Sequence, residues 1–113
     1  MKLDDKSRLE HMLESANEAI SFLADMTVDQ LAQNRMALQA IVRSAEIIGK
    51  AASQLTSEFR TQNAHVPWAQ IIGMRNRLVH AYFDIDHELV FSTVQSDIPV
   101  LVDQIKQLVS EFA

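Results

Sequence analysis

Apolar residues recur every three or four positions along most of the chain, which is the spacing of one face of an α-helix. The first such stripe predicts a helix over residues 5–24. The second follows Thr27, whose spacing to Gln30 is that of a capping box, and predicts one helix over residues 28–55. Within it, Gly49 either permits close packing against another element or only weakens the helix at that turn.

Beyond residue 55 the pattern predicts one long connection and three more helical segments. Residues 56–66 are polar and aperiodic, which is typical of a loop. Pro67 suits the first turn of a helix, Asp86 suits a helix cap, and Pro99 requires a kink or a restart. The helical segments are therefore expected at residues 67–80, 86–97 and 98–112. The predicted fold is all-α, an up-and-down bundle of four or five helices.

Composition limits the class of protein. With 113 residues and 48% hydrophobic content, the chain is expected to form a single domain over residues 1–113, and so small a domain gains stability from a partner subunit. The absence of cysteine excludes a disulfide scaffold, a thiolate zinc site and a cysteine nucleophile. The acids and histidines show no metal-ligand spacing, so neither a metal nor a cofactor is expected. Without a long apolar run or a signal peptide, the protein is expected to be cytoplasmic and not to span a membrane.

Charge is distributed unevenly along the chain. The net charge is −5, which argues against a protein that coats nucleic acid nonspecifically. Residues 59–83 nevertheless contain three arginines and no acid, so this segment carries +3 and the remainder −8. A local basic surface of this kind fits a confined anion site, although a solvated loop and helix face would give the same pattern.

The densest group of polar side chains in this segment comprises Arg75, Asn76, Arg77, His80 and Tyr82. At about 100° per residue, Asn76 and His80 are expected on one face of the third helix, whereas Arg75 and His80 diverge by about 140°. One straight helix therefore cannot direct Arg75 and His80 at the same atom. Either the helix end deforms, or a second copy faces the first across a symmetric dimer, which we prefer because Gly73 would allow a close approach.

The pairing of His80 with Arg75 favours one kind of chemistry. An imidazole can accept a proton near neutral pH and a guanidinium can hold a phosphate, which together suit RNA cleavage without a metal. The base would deprotonate a 2′-hydroxyl group, and the arginine would neutralise charge added to the attacked phosphate. In the simpler alternative, His80 caps the C-terminus of its helix and the arginines only solvate the surface.

Three stretches of the sequence carry a resemblance to a known family. They are IIGKAASQL (residues 47–55), VPWAQIIGMRNRLVHAYFDIDHELVFSTV (66–94) and DIPVLVDQI (97–105). They resemble the HepT-like proteins, a branch of the HEPN-domain ribonucleases. The motif of that family is an arginine, a polar residue, three further residues and a histidine, matched here by Arg75, Asn76 and His80. Its following tyrosine is matched by Tyr82, whereas Lys50 stands where similar proteins often carry an acid.

The resemblance implies a homodimeric, all-helical, metal-independent endoribonuclease that serves as the toxin of a HEPN/MNT toxin–antitoxin pair. Arg75 and His80 of both protomers would line one catalytic cleft, with Asn76 and Arg77 in support. The partner would be a minimal nucleotidyltransferase (MNT), which inactivates such a toxin by transferring AMP from ATP to the motif tyrosine, here Tyr82. Two alternatives stay open: a noncatalytic subunit that binds nucleotides or assists the nucleotidyltransferase, and a purely structural helical adaptor.

The remaining aromatic and basic candidates have simpler explanations. Trp68, in the first turn of a helix, is expected to be a core or interface anchor. Arg60 and His65 lie in the predicted connection and either guide the RNA backbone or face solvent. His11 and His87 stand beside acids near helix starts and are expected to face solvent.

Overall fold

Residues 4–81 and 84–112 are the part of the chain that the computed structural model describes, and eight α-helices form within them. They are α1 (Asp5–Leu23), α2 (Val28–Ala32), α3 (Arg35–Gln54), α4 (Ser57–Gln62), α5 (Trp68–Ile72), α6 (Met74–Leu78), α7 (His87–Ser92) and α8 (Ile98–Ser110). A π-helical turn, Thr93–Asp97, joins α7 to α8. The β pairing in these residues is one isolated bridge between Val79 and Ile85. The predicted all-α fold is confirmed.

The hydrophobic core lies mainly between α1, α3 and α8. α1 packs against both of the other two, and α5 and α6 pack on α3. Leu9, Ile48 and Ile105, one from each of the three long helices, are fully buried. Burying a side chain of this size contributes roughly 1.5–3 kcal/mol. No helix in the described part of the chain is both long enough and apolar enough to cross a membrane.

The first two helix starts follow local sequence signals. α1 begins where the Asp4 carboxylate accepts the N–H of Ser7 at 2.8 Å, and it ends at Leu23, one residue from the prediction. Thr27 and Gln30 form the predicted capping box. The N–H of Thr27 donates to Gln30 Oε1 at 2.8 Å, and the N–H of Gln30 donates to Thr27 Oγ1 at 3.2 Å.

The prediction of one helix over residues 28–55 is wrong, because the chain breaks between α2 and α3. Asn34 lies outside both helices, and its Oδ1 accepts the N–H of Ala37 at 3.0 Å as the N-cap of α3. Asparagine side chains compete for backbone donors in this way, which favours a cap over a helix interior. Leu31 and Leu38 are buried on either side of the break, so the apolar periodicity does not reveal it.

The prediction of a loop over residues 56–66 is also wrong, because this segment contains α4. Thr56 caps the helix by accepting the N–H of Phe59 on Oγ1 at 3.2 Å. The carboxylate of Asp5 in turn accepts the Thr56 N–H at 3.0 Å and the Thr56 hydroxyl at 2.8 Å. The start of α4 is therefore fixed by α1, a contact between distant parts of the sequence.

The helix predicted over residues 67–80 is divided and ends early. Gly73 separates α5 from α6, and α6 ends at Leu78. Val79 has extended backbone angles, φ −123° and ψ 123°, and forms the isolated bridge with Ile85. This bridge takes the chain out of the helix two residues before the predicted end.

The last helices accommodate Pro99 through a wider turn. Asp86 caps α7, as predicted, by accepting the N–H of Leu89 at 3.0 Å. The π-helical turn follows α7, and Pro99 is the second residue of α8. Because proline has no N–H to donate to the preceding turn, a restart at this point avoids a broken hydrogen bond within the helix. α8 then ends at Ser110, close to the predicted end.

Gly49 brings α3 close to the end of α5. A Cβ atom at this position would lie 2.9 Å from the carbonyl oxygen of Ile72 and 3.3 Å from that of Ile71. Both neighbours are backbone atoms, which cannot turn aside as a flexible side chain can. Close packing, the first of the two explanations for this glycine, is confirmed.

Gly49→Ala is expected to destabilise the fold by about 1–3 kcal/mol, the usual cost of overpacking, although alanine alone favours a helix by up to about 1 kcal/mol. The midpoint of urea unfolding should fall accordingly. Gly73→Ala is the matched control, because a Cβ there would lie at ordinary contact distance, 3.4 Å from the Ala69 carbonyl oxygen and 3.6 Å from Arg77 Nη1. Equal stability of the two alanine variants would contradict the close approach at Gly49.

Candidate active site

Arg75 lies on α6 beside α3, where it meets Glu46. Its Nε atom is 3.9 Å from Glu46 Oε2, and Glu46 Oε1 accepts a hydrogen bond from Arg43 Nη1 at 2.7 Å. Arg75 Nη1 donates to Asn76 Oδ1 at 3.3 Å. The Nε atom is buried without a hydrogen-bond partner in the described residues, yet 35% of the side chain is exposed. Arg75 is therefore anchored on one side and open to a ligand on the other.

A groove of about 200 Å³ lies between α3 and the chain that follows α6. Its lining comprises Arg35, Gln39, Val42, Arg43, Glu46, Arg75, Val79 and Ile85. Three guanidinium groups thus share a small space with one carboxylate. Such an excess of positive charge favours an anionic ligand.

His80 lies in the segment between α6 and α7. Its N–H donates to the Asp84 carbonyl oxygen at 2.7 Å, and the N–H of Asp86 donates to the Leu78 carbonyl oxygen at 2.9 Å. The His80 side chain is 58% exposed, and its Nε2 atom lies 3.2 Å from Asp86 Oδ2. His80 therefore lies at the surface, and a hydrogen bond of its backbone and a contact of its side chain hold it in place.

Asp86 is fixed by contacts on both carboxylate oxygens. Oδ1 accepts the N–H of Leu89 at 3.0 Å, and Oδ2 contacts His80. The Leu89 hydrogen bond above all, and then the hydrogen bond and charge of His80, lowers the pKa of Asp86 below its ordinary value of 3.8. An ionised carboxylate favours a proton on Nε2 of the imidazole, which leaves Nδ1 as the nitrogen able to accept a proton.

Within one protomer, Arg75 and His80 are held by different contacts. α6 carries Arg75 and Asn76 but ends before His80, so the expectation that Asn76 and His80 share a helical face is wrong. The imidazole contacts Asp86, not the helix carbonyls that the simpler capping alternative requires. The helix end does deform, which is one of the two conditions under which Arg75 and His80 can act together.

Arg77 does not belong to the contacts that surround Arg75 or His80. Arg77 lines a separate groove of about 200 Å³ with Asp97 and Val100, on the side of α6 that faces α8. Arg75 and Arg77 therefore lie on different surfaces of the protomer. Tyr82 lies outside the described residues.

Sequence reasoning missed the acidic partners of both motif residues. Nothing in the sequence near Glu46 points to Arg75, because the two meet only through the packing of α3 and α6. The sequence indicates Asp86 only as a helix cap. Asp86 stands only six residues after His80 in the sequence. This short separation is the signal that could have identified Asp86 as the partner of His80.

The other candidates lie apart from this site. Trp68 is 8% exposed and its Nε1 donates to the Asn63 carbonyl oxygen at 3.0 Å, which confirms the structural role. Arg60 lies on α4 and His65 is exposed beyond it, and neither lines the groove beside Arg75. Across residues 4–81 and 84–112, no three histidine, cysteine, aspartate or glutamate side chains gather in a set that could hold a metal ion.

Comparison with known proteins identifies the family. The family model described as ribonuclease HepT-like matches residues 12–108, most of the chain and all of the site described above. The chain belongs to the HepT-like ribonuclease family. No solved structure gives a significant match.

Several relatives of this HepT-like chain carry ribonuclease names. A protein of Methanocaldococcus jannaschii named "Putative RNase" is 37% identical over 105 residues, which cover 93% of this chain and 96% of that protein. A second protein so named, from Caldanaerobacter subterraneus subsp. tengcongensis, is 34% identical over 91% of this chain and 92% of its own length. The "Probable ribonuclease HepT" of Thermococcus cleftensis is 30% identical over 96% of this chain and 98% of its own length.

In this HepT-like chain, Asp86→Ala is expected to lower the free energy of unfolding by about 1 kcal/mol, the usual cost of losing an N-cap. Asp86→Asn should lose less, because an amide oxygen can still accept the Leu89 N–H. Urea unfolding of both variants and the wild type measures the difference.

The difference in free energy of unfolding between the wild type and Asp86→Asn is expected to depend on pH. Because folding lowers the pKa of Asp86, its ionised form adds stability that is present above the unfolded value near 3.8. That contribution is lost as the pH falls through the folded value, so wild type and Asp86→Asn should converge in stability at low pH. A difference between them that stays constant from neutral to acid pH would contradict this assignment.

Proposed function

We propose that this protein is a metal-independent endoribonuclease and the toxin of a HEPN/MNT toxin–antitoxin pair. The observation that carries the proposal is a surface histidine, His80, oriented by Asp86 and following Arg75 in a chain of the HepT-like ribonuclease family. The ribonuclease names of the relatives support RNA as the substrate.

In the proposed reaction, His80 acts as the general base. With Nε2 held by Asp86, Nδ1 removes the proton from a 2′-hydroxyl group of the RNA. The 2′-oxygen attacks the adjacent phosphorus, the bond from phosphorus to the 5′-oxygen breaks, and that oxygen takes a proton from water. His80 afterwards returns its own proton to the solvent. Arg75 stabilises the negative charge that the phosphate gains in the transition state. The products are a 2′,3′-cyclic phosphate and a 5′-hydroxyl end.

A homodimer would complete this site. Because separate contacts hold Arg75 and His80 within one protomer, a second copy is proposed to bring both pairs to one cleft. Asn76 supports Arg75 through its hydrogen bond. Arg77, which lines the separate groove on the α8 side of α6, is proposed to add affinity for a more distant phosphate of the RNA.

His80→Ala is expected to reduce RNA cleavage by about 10²- to 10⁴-fold, the contribution of a general base. Arg75→Ala should cost about 10²- to 10³-fold through lost stabilisation of transition-state charge. Both variants should remain folded, since each side chain is partly exposed. The measurement is cleavage of RNA by purified protein in excess chelator, with analysis of the new ends.

The ends of the RNA report the mechanism directly. Cyclic phosphate ends made by the wild type and not by His80→Ala support the proposed base. Full cleavage by purified His80→Ala protein would exclude His80 from that role. Cleavage that disappears with chelator would contradict a metal-independent reaction.

The proposed antitoxin acts on Tyr82, the residue that matches the modified tyrosine of similar proteins. Incubation with a minimal nucleotidyltransferase and ATP is expected to add AMP to the wild type and to abolish its RNA cleavage. Added negative charge and bulk beside the basic motif would compete with RNA phosphates. Tyr82→Phe should keep cleaving RNA under the same conditions and show no mass increase. AMP on the Tyr82→Phe variant would contradict the assignment.

A noncatalytic accessory subunit is the second candidate function. The groove that Arg75 shares with Arg35 and Arg43 could hold the phosphates of a nucleotide as well as those of RNA. A protein that binds AMP or ATP in calorimetry, is unmodified by mass spectrometry, and never cuts RNA would favour this candidate over the ribonuclease.

A further inference from the structure

We propose that the exposed polar face of α3 binds the phosphate backbone of RNA and extends the substrate site beyond Arg75. This inference rests on the proposed ribonuclease function. The surface concerned, called the α3 groove below, comprises Arg35, Gln39, Arg43, Glu46, Lys50 and Gln54.

The residues of the α3 groove form one continuous stripe. They recur every three or four positions, so they lie above one another on the same side of the helix. All six are exposed, and they include every cation of α3. With a rise of about 1.5 Å per residue, Arg35 and Lys50 are roughly 22 Å apart along the helix axis. The opposite side of α3 is buried in the core through Ile41 and Ile48.

Two neighbouring depressions run along this stripe. The first, of about 200 Å³, is lined by Arg35 and also by Arg75 of the motif. The second, of about 180 Å³, is lined by Lys50. Because Arg43 and Glu46 line both depressions, the two are adjacent and lead from the motif arginine along α3. Four cations therefore accompany a single carboxylate over the length of the groove.

Glu46 does not cancel this positive surface. Its carboxylate is 2.7 Å from Arg43 Nη1 and 3.9 Å from Arg75 Nε, so it serves as the counter-ion of two arginines when no ligand is bound. A phosphate offers the same paired oxygen atoms to a guanidinium and can take over part of that role. Arg35 and Lys50, at the two ends of the groove, form no ion pair recorded among the described residues and keep their charge available.

The chemistry of the lining favours the backbone of a nucleic acid over its bases. No Phe, Tyr or Trp side chain lines either depression, and the one aromatic ring in their lining is the imidazole of His11 in the second. A lining in which cations and amides are the main polar groups suits phosphate and sugar oxygens, which give affinity and position without reading sequence.

The test measures RNA binding by the His80→Ala variant of this chain, in which the proposed base is absent and the probe is expected to stay intact. The probe is a fluorescently labelled single-stranded RNA of mixed sequence, followed by anisotropy over a range of salt concentrations. Arg35→Gln and Lys50→Gln are each expected to weaken binding several-fold at low salt. Each should also reduce the slope of log affinity against log salt by about 0.7, the value for one phosphate contact on a single strand.

Lys106→Gln is the matched control, because it removes one exposed positive charge from α8, outside the α3 groove. It should leave the salt slope unchanged. Circular dichroism of all variants establishes that they fold. In the protein that retains His80, Lys50→Gln should raise KM for RNA and leave kcat unchanged, because Lys50 and Arg75 line different depressions.

Wild-type cleavage, assayed in parallel, separates this inference from the proposed function. If the wild type cuts RNA and the two groove variants bind it like Lys106→Gln, the proposed binding role of the α3 groove is overturned and the proposed ribonuclease function stands. If binding depends on the groove but the wild type never cuts, the groove stands and the ribonuclease is overturned. If the protein neither binds nor cuts RNA, both proposals fail.

Discussion

The close approach of α3 to the end of α5 at Gly49 determines where Arg75 lies relative to α3. Because Gly49 has no side chain, the backbone of α3 can pack directly on the carbonyl groups of Ile71 and Ile72. Glu46 lies one turn before that contact and Arg75 lies three residues after it, so the same packing brings the carboxylate within 3.9 Å of the arginine. A larger residue at the contact would separate both elements and move the guanidinium away from α3.

Two carboxylates, Glu46 and Asp86, hold the two halves of the motif by different means. Glu46 acts across helix packing, through charge attraction to Arg75. Asp86 acts locally: its N–H donates to the Leu78 carbonyl oxygen, one carboxylate oxygen caps α7, and the other contacts His80. Removing either carboxylate therefore affects one half of the motif and leaves the other in place. Such independence suits a site that is completed only when the two halves are brought together.

The sequence predicts the helices well where the signal is local and poorly where a distant contact decides. The capping box at Thr27 and the cap at Asp86 depend on residues three positions away, and both are confirmed. The break at Asn34 is an exception, because its cap is also local, three residues from Ala37, but the apolar stripe that continues on both sides hides it. The end of α6 depends on a bridge between Val79 and Ile85, which requires the following segment to fold back. The motif residues can be recognised from their spacing in the sequence. Glu46 cannot be recognised as the partner of Arg75, because only tertiary packing brings the two together.

The acidic character of the chain does not oppose a function on RNA, because charge acts locally in salt solution. At physiological ionic strength the Debye length is about 8 Å, whereas the cations at the ends of the α3 groove are roughly 22 Å apart. A phosphate in the groove therefore interacts with the one or two nearest cations and is screened from acids on distant faces. Asp25 and Asp29 line the surface next to Arg35, where the positive potential ends. Acidic side chains on the other faces act locally in the same way and would discourage RNA from binding there, so a net charge of −5 is compatible with the proposed groove.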